Sequence, residues 1–256
     1  MIEPTDRGFT LGDGLFETLL ARDGRLVDRD AHLDRMAAGC LVLGLPPLDR
    51  PAATRAMDEA LAGAPAGLLA VRLTLTAGSG GRGLDRPAAP SPMLAATVAP
   101  APPPTGPATL VTAAVRRNDG SPTSRLKTLS YLDNVLARAQ ARAAGADEAV
   151  MLNTRGEVAC AAAANLFWVA GGTLFTPALD CGVLAGVTRA QALEAARALG
   201  VRVAEVTGGP EALAAAEAVM ITSSLIGVRA AASLDGRSLA PHGLAARLDQ
   251  GLKRQG

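Results

Sequence analysis

Aromatic side chains make up only 2% of this 256-residue sequence, with one Trp, one Tyr and four Phe. A core poor in rings must be filled by aliphatic side chains, and 49% of the residues are hydrophobic. Lysine is almost missing: Lys127 and Lys253 are the two present, and arginine carries the rest of the positive charge. Lys+Arg number 25 against 24 Asp+Glu, a net charge of +1 that excludes the basic excess of a nucleic-acid binder. The three cysteines, Cys40, Cys160 and Cys181, are odd in number and widely spaced. They read as reduced thiols rather than a disulfide frame. His32 and His242 stand far apart, so no histidine-rich metal site is expected. No apolar run reaches the roughly 18 residues of a membrane span, and no signal peptide is expected. The expectation is a soluble, cytoplasmic, globular protein with neither membrane nor nucleic-acid partners.

Proline is concentrated where it punctuates. Five of the nine residues from Ala99 to Pro107 are proline, which marks an extended, semi-rigid connector. It predicts a smaller α/β domain over 1–99, a linker over 100–107 and a larger α/β domain over 108–256. In the first part, Leu69 to Thr76 alternates with period 2 and predicts a strand burying Val71, Leu73 and Leu75. Asp30 to Leu43 predicts a helix stopped by Pro46-Pro47, and Ala52 to Leu61 a second helix. In the second part, Ser130 to Ala144 is Ala-rich and helical, with Gly145 as its cap. Glu148 to Leu152 and Glu157 to Val169 predict strands joined by the turn Asn153-Thr154-Arg155-Gly156. Thr173 to Thr176 adds a strand, Gly186 to Leu199 a helix, and Val201 to Val206, Ala218 to Thr222 and Gly227 to Ala231 further strands. Strands with helices between them indicate a mixed α/β fold.

Few segments suggest chemistry. Gly-Asp-Gly at 12–14 and Gly-Ser-Gly-Gly-Arg-Gly at 78–83 fit neither phosphate-loop nor dinucleotide spacing and read as turns. Gly186-Val187-Thr188-Arg189 opens a helix and has two readings. Its backbone N–H groups and the helix dipole could hold a phosphate, or Thr188 simply caps the helix. Lys253, near the C-terminus, is expected in solvent. Lys127, between Leu126 and Leu129, is either a surface lysine or a desolvated amine suited to a Schiff base. Phe9, Phe16, Tyr131, Phe167 and Trp168 flank these segments, with core packing as their plain role.

Six motifs then occur in one order along nearly the whole chain: Asp6-Arg-Gly-Phe-Thr-Leu-Gly-Asp-Gly-Leu-Phe-Glu-Thr18, His32-Leu-Asp-Arg35, Leu126-Lys-Thr-Leu-Ser-Tyr131, Ala164-Asn-Leu-Phe167, Thr176-Pro177 and Gly186-Val-Thr-Arg189. Together they resemble the class IV aminotransferase-like, fold-type IV pyridoxal phosphate enzymes. Gly78 to Gly83, Ala163 to Trp168, Thr222 to Val228 and Thr18 are most similar to the aminodeoxychorismate lyases within that family. The resemblance implies two α/β domains with pyridoxal 5'-phosphate at their interface, a small-molecule amino substrate and a homodimer. It implies Lys127 as the Schiff-base and proton-transfer residue, with Thr18 close enough to help. Arg35, Val187, Thr188 and Ser223 would bind the cofactor phosphate. Tyr131 would line the side of its ring hydroxyl, and Asn165 and Phe167 would lie on the strand beside it. Phe16 and Arg82 would approach the substrate. The implied reaction converts 4-amino-4-deoxychorismate to 4-aminobenzoate, a folate precursor, and pyruvate. The alternatives are transamination of branched-chain or D-amino acids, and a non-catalytic cofactor-binding protein.

One position departs from the pattern. The family carries a glutamate against the pyridine nitrogen, five residues before the Asn of Asn-Leu-Phe, where this chain has Cys160. A carboxylate there keeps the ring protonated, whereas a thiol is a weak donor and should stabilise a carbanion less. Glu157, three residues away in the expected strand, would point to the opposite face.

Overall fold

The structure is a computed structural model and describes residues 3–253. The chain divides into two compact units, Met1–Pro103 with Leu126–Ser130, and Pro104–Arg125 with Tyr131–Gly256. Both strands and helices occur in each, so the architecture is mixed α/β.

The first unit runs through α1 (Arg7–Leu11), β1 (Gly14–Arg22), β2 (Arg25–Leu26), α2 (Arg29–Leu43), α3 (Arg50–Leu61), β3 (Leu68–Thr76) and β4 (Met93–Pro100). Its antiparallel sheet has the order β2-β1-β3-β4. Period-2 geometry turns Leu15, Leu19, Val71 and Leu73 to one face, where they pack with Leu33, Met36 and Cys40 of α2 and Ala53 and Met57 of α3. The expected helix over 30–43 ends on Gly44, in the left-handed conformation at φ 63, before Pro46-Pro47 is reached. The second begins two residues earlier than expected because Asp49 caps it and Pro51 sits in its first turn. The proline-rich segment is extended only in part as a connector, since β4 continues to Pro100 and pairs with Leu69 of β3.

Leu126–Ser130 belongs to this unit because it pairs with β1. Phe16 N–H donates to Lys127 O at 2.9 Å, Leu129 N–H donates to Gly14 O at 3.0 Å, and Leu15 bridges Thr128.

The second unit contains β5 (Ala108–Thr112), α4 (Leu132–Ala143), β6 (Glu148–Leu152), β7 (Val158–Ala161), β8 (Asn165–Ala170), β9 (Thr173–Pro177), α5 (Val187–Ala198), β10 (Arg202–Val206), α6 (Pro210–Ala214), β11 (Ala218–Ser223), β12 (Gly227–Leu234), β13 (Arg237–Ser238) and α7 (Leu244–Lys253). The strands follow the order β10-β9-β8-β11-β12-β5-β6-β7, with β13 on β12. Phe167, Val169 and Met220 pack with Ala192 and Leu193 of α5 and Leu244 and Leu248 of α7. Leu166, Trp168, Val219 and Ile221 form the core on the other face. The single strand expected over 157–169 is two strands. β7 ends at Ala161, whose N–H donates to Ala164 O at 2.8 Å across a turn, and β8 starts at Asn165. α4 begins at Leu132 rather than Ser130, because Ser130 still belongs to the segment beside β1. No helix among the described residues is long and apolar enough to cross a membrane. The side chain of Lys253 lies outside the described part of the chain.

Candidate active site

In the first unit the alternation of β1 sends neighbouring side chains to different tasks. Glu17 faces α2, where His32 and Arg35, three apart, share one side of the helix. His32 Nδ1 lies 2.7 Å from Glu17 Oε2, and Arg35 donates to both carboxylate oxygens at 2.8 and 2.6 Å. Glu17 and His32 are each 1% exposed. Burial by itself would raise the Glu17 carboxyl, but hydrogen bonds from Arg35 and then His32 outweigh it and hold the group below the usual carboxylate range. Arg35 is thus fixed in direction by a bidentate pair.

Phe16 and Thr18 project from the opposite face of β1, with Arg72 of β3 directly across from Thr18. The half-buried Lys127 places Nζ 4.3 Å from the centre of the Phe16 ring, and the Arg72 guanidinium carbon lies 3.8 Å from the same centre. Phe16, Thr18, Arg72 and Lys127 therefore form one constellation. Arg82 makes no polar side-chain contact with it among the described residues. It stands exposed on the glycine-rich loop, which is a turn as expected and not a phosphate cradle: it directs carbonyls, not N–H groups, inward onto Arg7.

The second unit assembles donors at the start of α5. Gly186 is the N-cap and supplies no side-chain acceptor, so Thr188 is the second helical residue and not the cap. The first-turn N–H groups of Val187 and Thr188 have no intrahelical acceptor. Asn165 donates from Nδ2 to Leu184 O at 2.9 Å, and a Cβ on Gly186 would fall 2.0 Å from Asn165 Oδ1, so only glycine fits. Thr222 pairs with Asn165 across β11 and β8 and shares its face. Among the described residues its hydroxyl is buried without a hydrogen-bond partner, as is Arg189 Nε. Ser223 follows at the end of β11. An uncapped helix N-terminus beside an orphaned hydroxyl is suited to an anion. Tyr131 occupies the N-cap position of α4 without a side-chain cap bond. Phe167, 1% exposed, is a core residue.

Cys160 lies opposite Met151 on β7 and packs with Ala137, Ala162, Cys181 and Val183. Burial pushes its thiol up, against the pull of Arg117 and with a further push from Glu148. Arg117, 7% exposed, donates to Gly182 O and Asn134 Oδ1, both at 3.0 Å, and to Ser124 O. Each of these acceptors is neutral. Glu157 precedes β7 and is held by Arg155 and Asn153. Glu157 thus lies before β7 rather than within it, and its direction is set by these bonds and not by the expected strand alternation.

Arg72, Glu17, Arg117 and Thr222 escaped the reading of the sequence. Arg72 carried a usable signal, since alternation places it on the outward face of a strand. Thr222 opened one of the stretches that carry the resemblance, but its orphaned hydroxyl exists only once β8 and β11 are paired. Among the described residues no group of His, Cys, Asp and Glu could hold a metal ion.

The family model for amino-transferase class IV matches residues 14–234. The chain is 32% identical over 237 residues to the "Putative branched-chain-amino-acid aminotransferase" of Methanocaldococcus jannaschii, covering 91% of this chain and 82% of the relative. The crystal structure of 4-amino-4-deoxychorismate lyase from Pseudomonas aeruginosa is 32% identical, covers 99% of this chain and 95% of its own, and superposes with a TM-score of 0.89. The PLP-bound form of a hypothetical aminotransferase from Mycobacterium tuberculosis is 25% identical, covers 100% and 94%, and has a TM-score of 0.86.

Proposed function

The chain belongs to the amino-transferase class IV family, and on that footing we propose that it is a pyridoxal phosphate enzyme acting as an aminodeoxychorismate lyase, cytoplasmic and homodimeric. The observation that carries the reading is the placement of Lys127, tied to β1 by its own backbone, with its amine on the Phe16 ring beside Thr18 and Arg72.

The residues present fit the cofactor. The N-terminus of α5, Ser223 and the orphaned Thr222 hydroxyl suit its phosphate, and Arg35, aimed by Glu17, would add a positive charge. Tyr131 and Asn165 would flank its ring. Pyridoxal phosphate supplies a conjugated ring that spreads the charge left when a proton leaves the substrate α-carbon. Lys127 would hold the cofactor through its amine, take that proton and return it. The Thr18 hydroxyl would steady the Lys127 amine between the two transfers. Arg72 and Arg82 would draw in the carboxylates of an anionic substrate, and Phe16 would keep water from the amine. Loss of the pyruvyl group with rearomatisation leaves 4-aminobenzoate and pyruvate.

Purified protein supplied with pyridoxal phosphate and 4-amino-4-deoxychorismate, without a 2-oxo acid, is expected to release 4-aminobenzoate, and Lys127→Ala to release none. The second reading, an aminotransferase, is favoured by the M. jannaschii relative, which matches at the same 32% identity as the lyase structure. Amino transfer from a branched-chain or D-amino acid to a 2-oxo acid, with no 4-aminobenzoate formed, would establish it. A third reading follows from Cys160. A protein that binds pyridoxal phosphate and turns over neither kind of substrate would be a cofactor-binding paralogue.

A further inference from the structure

Asp6 and Arg7 open the first sequence motif, yet nothing in the proposed chemistry uses them. Both are buried, at 2% and 5% exposed, within a short surface helix and its cap. Most of the Arg7 side-chain bonds go to the glycine-rich loop more than 70 residues away. The Arg7 guanidinium donates through Nη1 to Gly83 O at 3.2 Å and Asp85 O at 3.1 Å, and through Nη2 to Leu84 O at 2.9 Å. Nε donates to Asp13 Oδ2 at 2.9 Å.

The loop is fastened at both feet as well. Arg7 N–H donates to Gly78 O at 2.9 Å, while Thr76 Oγ1 donates to Asp6 Oδ2 at 2.6 Å and accepts from Gly78 N–H at 3.1 Å. At the far end Arg86 donates to both Asp13 oxygens, at 2.9 and 2.5 Å, and to Leu43 O at 2.5 Å. The hydrogen bond from Arg86, more than that from Arg7, holds the Asp13 carboxyl below its usual range against the effect of burial.

Gly78, Gly80, Gly81 and Gly83 all have positive φ, a run that without anchors would leave this loop soft. Instead three consecutive carbonyls converge on one planar fork, a geometry that a lysine cannot reproduce. The loop presents Arg82 outward, exposed and with no ion pair among the described residues. A stiff loop presenting an unpaired cation is pre-organised for an anion, because little ordering remains to be done on binding.

We propose that Arg7 is a positioning residue for substrate recognition: it locks the 78–86 loop so that Arg82 meets a substrate carboxylate. The inference rests on the assignment of Arg82 to the substrate, and the test separates the two. Arg7→Lys, Arg82→Ala and the double variant are prepared as holoenzymes. Each is measured for KM and kcat with 4-amino-4-deoxychorismate, and for Kd with 4-aminobenzoate, a carboxylate that needs no turnover. Hydrogen exchange of the peptide spanning 78–86 is followed alongside.

Arg7→Lys is expected to speed exchange in that peptide and to raise KM and Kd about tenfold, with kcat changed less than about twofold. Arg82→Ala is expected to raise KM and Kd similarly without altering exchange, and the double variant to be no worse than Arg82→Ala alone. Additive losses in the double variant, or a loosened loop with unchanged KM and Kd, would overturn the role of Arg7. If Arg82→Ala leaves both constants unchanged, the assignment of Arg82 falls first, and the inference with it. Should Arg7→Lys not fold, Arg86→Lys loosens the same loop from its outer foot and is read against the same outcomes.

Discussion

Glu17 and Cys160 show how one side chain can set the working charge of its neighbours. Glu17 is ionised in a buried position because Arg35 and His32 both bond to it. Its folded carboxyl sits below the ordinary range, so the stability it contributes is present above the unfolded value and is lost as pH falls through the folded one. Glu17→Gln leaves Arg35 and His32 without their anion and is expected to cost about 3–5 kcal/mol at neutral pH. Urea denaturation across the acid limb checks this, since the variant's stability should also depend less on pH there. Cys160 poses the reverse case. Arg117 lies buried with neutral acceptors, in surroundings that Cys160 shares through Cys181-Gly182-Val183 and Ala162. Cys160→Glu would give Arg117 an anion and the cofactor ring a carboxylate. It is expected to raise kcat about tenfold and to move the pH midpoint of the bound cofactor's absorbance upward. The larger side chain should cost about 1–3 kcal/mol of stability by overpacking, read by thermal unfolding. Unchanged turnover and spectrum would mean that Cys160 does not face the ring nitrogen. The substitution itself was visible in the sequence because the surrounding motif fixes its place. The identity of its charged neighbour was not, since Arg117 lies 43 residues earlier and is brought close only by the pairing of β6 with β7.

Secondary-structure elements were legible where one chemical signal dominated. β3 alternates strictly because one face is packed by α2 and α3, and α5 and α4 are followed by glycines at φ 71 that stop them. β6, β7 and β8 are buried on both faces, which erases the period-2 signal and hides the turn at 162–164 within a run of alanines. β1 was read as a motif and not as a strand for the same reason, with burial on both sides from Gly14 to Glu17. The start of α5 was legible as a helix N-terminus with free N–H groups, and the unpartnered Thr222 hydroxyl on β11 adds to the reading that it suits an anion. A buried hydroxyl without a partner costs about 1–3 kcal/mol, so Thr222→Val, which keeps the shape and removes the polar atom, is expected to stabilise the cofactor-free protein by about 1 kcal/mol. The same change should weaken pyridoxal phosphate binding severalfold. Opposite signs in thermal unfolding without cofactor and in cofactor titration would show that the orphaned hydroxyl is kept for a ligand. Equal signs would make it a packing defect.

The two units part between Pro103 and Pro104, inside the proline-rich segment, but five later residues, Leu126–Ser130, return to the first unit. Lys127, the residue proposed to hold the cofactor, comes after the proline-rich segment but belongs to the unit that precedes it. Composition could mark the connector, because proline acts locally, but it could not show that residues 126–130 return to β1, because strand pairing is a long-range choice. The consequence is that the first unit cannot be cut free at the connector without loss. Residues 1–103 alone would leave Phe16 N–H and Gly14 O without their partners at Lys127 and Leu129, and would remove Leu126 from the edge of the core of α2, α3 and the sheet. Two backbone hydrogen bonds and one partly buried leucine together contribute about 2–4 kcal/mol. A fragment of residues 1–103 is therefore expected to unfold at lower urea than the same unit within the whole chain, with fast amide exchange at Phe16. Joining residues 124–131 to it through a short Gly/Ser linker should restore both. If residues 1–103 alone match the whole chain, the pairing beside β1 contributes nothing to the fold, and Lys127 would depend on the cofactor rather than on β1 for its position.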